Sequence, residues 1–208
     1  MEIETDLTSK IPYLYHLTDP NNLERIIKMR KLYSTNQLFS QFKKSKDSVL
    51  YEQRTNHFTL SSRTEIVMIR DQRPLNFNLL RKTLDGSCTA EEFTYYLNER
   101  VFFWPNLERL QTHFTTYNNQ SENVVIIKTR TADILKINER PMFCNINSGA
   151  PSRYHKPNWT HRNLNLFKAL DEIQYPIDKI AEITFIDQCY LPSNMLVSSA
   201  PNGNWKLL

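Results

Sequence analysis

This 208-residue sequence is poor in glycine and cysteine, with three of each, and it has no long apolar run. Gly86, Gly149 and Gly203 stand far apart, so neither GxGxxG nor GxxxxGK[ST] can be written from them. Rossmann and P-loop cradles need such glycines to bring backbone up to phosphate, so their absence argues against both modes of nucleotide binding. Cys88, Cys144 and Cys189 are odd in number and form no CxxC. They read as reduced cytosolic thiols, with neither a disulfide framework nor a metal site implied. No apolar run approaches the roughly 20 residues of a membrane span. The opening MEIETDLTSK is acidic and polar, unlike a signal peptide. These absences lead to the expectation of a cytoplasmic protein with no membrane partner.

The residues that are present suit a globular chain. Hydrophobic residues make up 40% and charged residues 23%, an ordinary balance for a protein with a core. The length suffices for a single domain over residues 1–208. Aromatics are plentiful, with 10 Tyr, 11 Phe and 3 Trp available for core or stacking. The net charge of +4 permits a nucleic-acid partner without requiring one.

Periodicity predicts a mixed α+β order. IPYLYHLT alternates as a strand, and DPNNLERIIKMRK starts a helix with Asp19 as cap and Pro20 in its first position. LYSTN is short and β-prone, and QLFSQFKKSKDSVLYEQR looks helical with a basic, exposed middle. A strand is expected around Ile66 to Ile69, stopped by Pro74. NFNLLRKTL and TAEEFTYYLN read as short helices, RVFFWP as a buried strand and NLERLQTHFTTY as a helix. ENVVIIKTRTADIL reads as the clearest strand. Residues 140–162 form a long irregular stretch of the kind that is often functional. A short helix is expected next, then strands in KIAEITFIDQCYLPSNMLVSSA.

A strand carrying His16, a helix, a strand carrying Tyr33 and Ser34, and a late strand carrying Glu182 together resemble an ADP-ribosyltransferase fold, with split mixed sheets and an early inserted helix. Residues 14–36 are similar to the N-terminus of the DarT family of nucleic-acid ADP-ribosyltransferases. Tyr15-His16-Leu17-Thr18, Asn22-Leu23, Ile26 and Lys31-Leu32 match its motif, while Arg30 stands where the family usually has Gly. VFFWP, NVVIIKTRTADIL and IAEITFIDQCYLPSNM resemble later pieces. Between about residues 40 and 98 the likeness is poor, and the chain looks like a DarT-related branch with the mRNA-modifying toxin CmdT as one relative.

The resemblance implies NAD as co-substrate, with no metal. Cleaving its nicotinamide–ribose bond develops an oxocarbenium-like cation, which a fixed carboxylate stabilises. Glu182, between Ala181 and Ile183, is that carboxylate by resemblance; by spacing alone it reads as an exposed strand residue. His16, Leu17 and Thr18 are implied to hold the cofactor, although a mid-strand His also suits a core. Tyr33 and Ser34 follow as cofactor contacts, and Phe103 as one wall of the nicotinamide pocket. An activating Arg is implied too, with Arg54 the best positional match and Arg63 and Arg70 as alternatives. Arg70 is also placed to fold the IRDQRPL turn by pairing with Asp71.

On the substrate side, Arg153, Tyr154, His155, Lys156, Trp159, His161 and Arg162 interleave cations with aromatics. That pattern suits a single-stranded base stacked beside a phosphate track, and it equally suits a solvated loop. Arg153, Tyr154, Trp159 and Arg162 are the expected readers. Lys43, Lys44 and Lys46 form a second basic run that reads as a solvated face. The function implied is ADP-ribosylation of a base in single-stranded RNA or DNA, RNA preferred, by an intracellular toxin or anti-phage effector with an antitoxin as possible partner. A protein-modifying transferase and a non-enzymatic binding module on the same fold are the alternatives.

Overall fold

The computed structural model describes residues 2–44, 48–118, 123–151 and 161–208. A first helix, α1 (Glu2–Lys10), precedes the strand expected from IPYLYHLT and was not foreseen. Its Leu7 is wholly buried, which anchors the helix to the core. The strand itself is β1 (Tyr13–Thr18). Asp19 then caps a short 3-10 turn, accepting from the Asn21 N–H at 2.9 Å, with Pro20 in the first position. α2 (Leu23–Met29) continues from it and ends at Arg30, whose φ of 49° is left-handed. The helix therefore stops as a glycine would stop it, at a steric cost of about 1–2 kcal/mol for a side-chain-bearing residue. β2 (Lys31–Tyr33) follows, and Ser34 caps α3 (Thr35–Gln41) by accepting from the Gln37 N–H at 3.2 Å.

The middle of the chain builds a hairpin and two helices. β3 (Phe58–Ser61), which was not foreseen, pairs antiparallel with the expected β4 (Ile66–Ile69). α4 (Phe77–Thr83) is capped by Asn76, and α5 (Ala90–Asn98) opens on a capping box of Thr89 and Glu92. β5 (Arg100–Phe103) and α6 (Leu107–Asn118) follow as predicted.

Later elements depart from expectation. ENVVIIKTRTADIL is two elements, β6 (Val125–Arg130) and then α7 (Thr131–Ile137). Thr131 makes the switch, its N–H donating to the Pro12 carbonyl at 3.0 Å and its hydroxyl to the Ile11 carbonyl. The irregular stretch contains β7 (Met142–Cys144). Instead of a helix after residue 162 there are turns, one held by the Asn163 side chain accepting from the Asn165 N–H at 2.8 Å. Asparagine competes with a helix by bonding its own backbone in this way. The chain then runs through β8 (Glu182–Ile186), β9 (Gln188–Tyr190), β10 (Leu196–Ser198) and β11 (Lys206–Leu207).

The result is α+β with small antiparallel sheets. One sheet has the order β1-β6-β10-β11 and another β5-β8-β7, with β2-β9 and β3-β4 as two-stranded ribbons. Leu14, Phe103, Ile127, Phe143, Ile183 and Phe185 belong to one buried cluster to which both larger sheets contribute. The two sheets touch where Tyr15 and Trp104 exchange backbone hydrogen bonds of 3.0 and 2.8 Å. Past that single bridge β1 follows β6 and β5 follows β8. Among the described residues no helix is long and apolar enough to cross a membrane.

Candidate active site

A cleft of about 280 Å³ lies beside the bridge, lined by His16, Phe102 and Trp104 among others. Strand geometry decides what β1 offers it. The Tyr15 N–H and C=O point at β5, so two residues on those of Leu17 face the same edge. Between them, the His16 ring takes over from the backbone: its Nδ1 lies 2.8 Å from the Phe102 carbonyl oxygen. A carbonyl only accepts, so Nδ1 carries the proton and Nε2 keeps its lone pair. Burial pushes the His16 pKa down to about 4, against a smaller opposing effect of the Phe102 carbonyl, so the ring is neutral near pH 7.

Glu182 opens β8. The register Phe103↔Ile183 puts the next residue, Trp104, across from it, and Cys144 pairs with it on the other side. Its side chain reaches the cleft although the residue is only 6% exposed. The Ser148 N–H donates to both carboxylate oxygens, at 3.2 Å each. Burial pushes the Glu182 pKa up to about 7; the Ser148 hydroxyl and N–H and the charges of Arg162 and Arg109 pull it down less strongly. Near neutrality this carboxyl therefore populates both states. It responds to a nearby cation by ionising, and it accepts a proton at little cost.

Cations also line the cleft, Arg54 and Arg70 among them. Arg54 is fixed by donating to the carbonyls of Arg70 and Val49 at 3.2 and 3.3 Å and to the Asn98 side chain at 3.0 Å. Arg70 lies 3.8 Å from Asp19, not against Asp71 as expected. Asp71 is taken instead by Arg73, at 2.7 Å, with His57 at 3.2 Å. Arg63 is exposed in the β3–β4 turn, away from the cleft. Tyr33 lines the cleft with the Arg25 guanidinium 5.1 Å from its ring centre.

A family model described as a family of unknown function, DUF7002, matches residues 12–196. The chain belongs to DUF7002. The match covers every residue that lines the cleft, so the site is made from the part of the chain that defines DUF7002. No curated protein and no solved structure matches the chain significantly.

Of the residues singled out in this DUF7002 sequence, His16, Leu17, Thr18, Tyr33, Arg54 and Glu182 all line the one cleft. Arg70 lines it too, and besides Arg63 three others do not face it. The Ser34 hydroxyl is buried and spent on capping α3. Phe103 is wholly buried against Phe185 and the His16 ring. Strand alternation turns Phe102 and Trp104 to the cleft in its place. Arg162 is not a solvent-facing reader, being 3% exposed. Backbone carbonyls absorb its charge, with Ser148 at 3.0 Å and Asn147 at 2.8 Å. Arg153, Tyr154 and Trp159, like Lys46, lie outside the described residues. Sequence reasoning missed Ser148 and Asn98. The first bonds Glu182 through a backbone N–H, which no side-chain pattern in the sequence reveals. The second gains its role from meeting Arg54 across 44 positions.

Proposed function

We propose that this protein is an NAD-dependent ADP-ribosyltransferase, built on an ADP-ribosyltransferase-like split sheet, that modifies a base of single-stranded nucleic acid. The observation that carries the reading is the meeting of a buried carboxyl of tunable charge, Glu182, with the open β1 edge at Leu17 and a neutral His16 in one cleft. At about 280 Å³ the cleft suits the nicotinamide–ribose end of NAD, since whole drug-sized ligands take roughly 300–1,000 Å³.

Each part of that end finds a complement. The Leu17 N–H and C=O match the acceptor and donor of a carboxamide, as one more strand would. Tyr33 offers a ring for stacking. Arg54 and Arg70 supply positive charge for the diphosphate. Bound NAD supplies an activated ribose, whose bond to nicotinamide breaks with the electron pair leaving on the nicotinamide nitrogen. Glu182, ionised by the cationic ring beside it, stabilises the positive charge that develops on the ribose. The attacking base nitrogen forms the new bond to the same carbon, and its surplus proton passes to Glu182 or to water. Trp104, 4.6 Å from His113 between ring centres, provides an aromatic ledge at the Glu182 end where an unstacked base fits. The net charge of +4 favours a polyanion over a protein surface. An intracellular toxin or anti-phage effector, restrained by an antitoxin, is the role that such an activity serves.

Incubation with labelled NAD and separate pools of RNA, single-stranded DNA, duplex and protein tests the proposal. Label on single strands, RNA before DNA, is expected. Label on protein alone, or none on any pool, refutes it.

A further inference from the structure

The Asn147 carbonyl and the Ser148 N–H belong to one peptide group. Arg162 Nη2 donates to the oxygen of that group at 2.8 Å, and its N–H donates to both Glu182 oxygens. Arg162 Nε also takes the next carbonyl, Ser148, at 3.0 Å. A peptide is planar and dipolar, so a cation fixed at its oxygen strengthens the donor at its other end. The guanidinium is itself held. The Arg162 N–H donates to the Thr83 carbonyl at 2.8 Å, and its carbonyl accepts from the Asp85 N–H at 3.2 Å. From these contacts we infer that Arg162 is a positioning residue, which orients and polarises the Asn147–Ser148 peptide so that its N–H holds the Glu182 carboxylate.

The inference takes Glu182 as the working carboxylate of the proposed reaction, but the geometry it describes stands without substrate. Other groups act on Glu182 from the elements around it. Cys144 on β7 is paired with it and stays neutral, since burial pushes the thiol up to about 12. Arg109 on α6 acts through its charge. Neutral His16 on β1 lines the same cleft. Arg162 differs from all three in being joined to the carboxylate through one hydrogen-bonded peptide.

The test is the titration of the Glu182 carboxyl by carbon-detected NMR in the substrate-free protein, assigned by its loss in Glu182→Gln. Arg162 is one of the charges that hold the Glu182 pKa down, and removing an opposing charge moves a carboxyl pKa up. Arg162→Gln is therefore expected to shift the titration upward, with a folded spectrum. Arg162→Lys keeps the charge but cannot fork across two carbonyls, and a smaller upward shift is expected. Should Arg162→Gln fail to fold, Arg162→Lys decides. An unmoved titration in whichever variant is folded overturns the inference. If the shift appears while wild-type protein transfers nothing from NAD, the positioning role stands and the transferase reading falls. If wild-type transfers ADP-ribose and the titration is unmoved, the reverse holds.

Discussion

Asp71 and Glu182 line one cleft, each with a buried carboxyl, yet their charges are held in opposite ways. Burial pushes both pKa values up. At Asp71 the Arg73 side chain and backbone N–H, with help from His57, outweigh it and hold the carboxyl below the usual aspartate range. At Glu182 the Ser148 N–H at 3.2 Å from each oxygen, the Ser148 hydroxyl and the charges of Arg162 and Arg109 oppose burial less strongly, and burial wins. The difference teaches which carboxyl is available. Asp71 is neutralised by direct contact and ties a loop together, whereas Glu182 keeps an unspent capacity to meet positive charge. Carboxyls pushed apart in this way mark the division of labour in an acid–base site.

Substituting each carboxyl in turn is the strongest way to break the comparison. Glu182→Gln is expected to cut ADP-ribosyl transfer on the order of a hundredfold or more in a folded protein. Asp71→Asn is expected to lower stability by about 2 kcal/mol, the full buried-pair cost being discounted because Arg73 is part exposed. Single-turnover transfer measured beside a denaturant titration separates them. A larger activity loss in Asp71→Asn than in Glu182→Gln would reverse the assignment.

The pH dependence sharpens it. Ionising Glu182 opposes folding, so the stability associated with its protonated form is complete below its ordinary value of 4.5 and is lost as pH rises through about 7. Glu182→Gln should match wild-type stability below pH 4.5 and exceed it by a few kcal/mol at pH 8. Asp71 behaves oppositely, its contribution being present at neutral pH and lost as pH falls through its lowered pKa. In the proposed reaction the ionised Glu182 is the active form, so the free-enzyme rate constant kcat/KM should rise with pH along a limb near 7. Urea melts and initial rates across pH 4–9 check both statements. Equal stability of the two proteins at every pH would show that Glu182 is solvated.

The half-buried His16 adds a third titrating group, with a smaller expected effect. His16→Ala should weaken NAD binding about tenfold while costing about 1 kcal/mol of stability for one lost hydrogen bond. Wild-type stability should also fall with acid between pH 6.5 and about 4 as the ring is forced to protonate, and this component should vanish in the variant. Calorimetric titration with NAD settles the matter: unchanged affinity in the folded variant confines His16 to the core.

The smallest effect is expected away from both carboxyls. Arg30→Gly removes the left-handed penalty at φ 49° but adds unfolded-state freedom, for a net gain of about 0.5–1 kcal/mol. NAD affinity should not change. Destabilisation of this variant would mean that the Arg30 side chain holds more than the turn does.

Much of this architecture was legible locally. Asp19 and Pro20 announced the start of the early helix, and Thr89 with Glu92 opened α5, because caps and turns are decided within four residues. The alternation around residues 13–18 marked β1 for the same reason. One failure was local, at the turn of Asn163 after residue 162, but others needed distant partners. α7 displaced an expected strand because Thr131 meets the carbonyls of Ile11 and Pro12, some 120 positions away. Phe103 was placed in the cleft wall because the sequence shows that a strand alternates but not which face its core takes.

The site divides in the same way. The sequence by itself determined the types of chemistry present: a strand glutamate, a strand histidine, an early tyrosine and several arginines, with no glycine-rich phosphate loop. Only the tertiary structure decided their use. It brought His16 and Glu182 to one cleft by parting two sheets at a single bridge. It turned Arg162 from a surface cation into a clamp, and it gave Glu182 and Asp71 opposite pKa shifts. Those outcomes depend on burial and on hydrogen bonds between residues far apart in the chain, and neither is a property of local sequence.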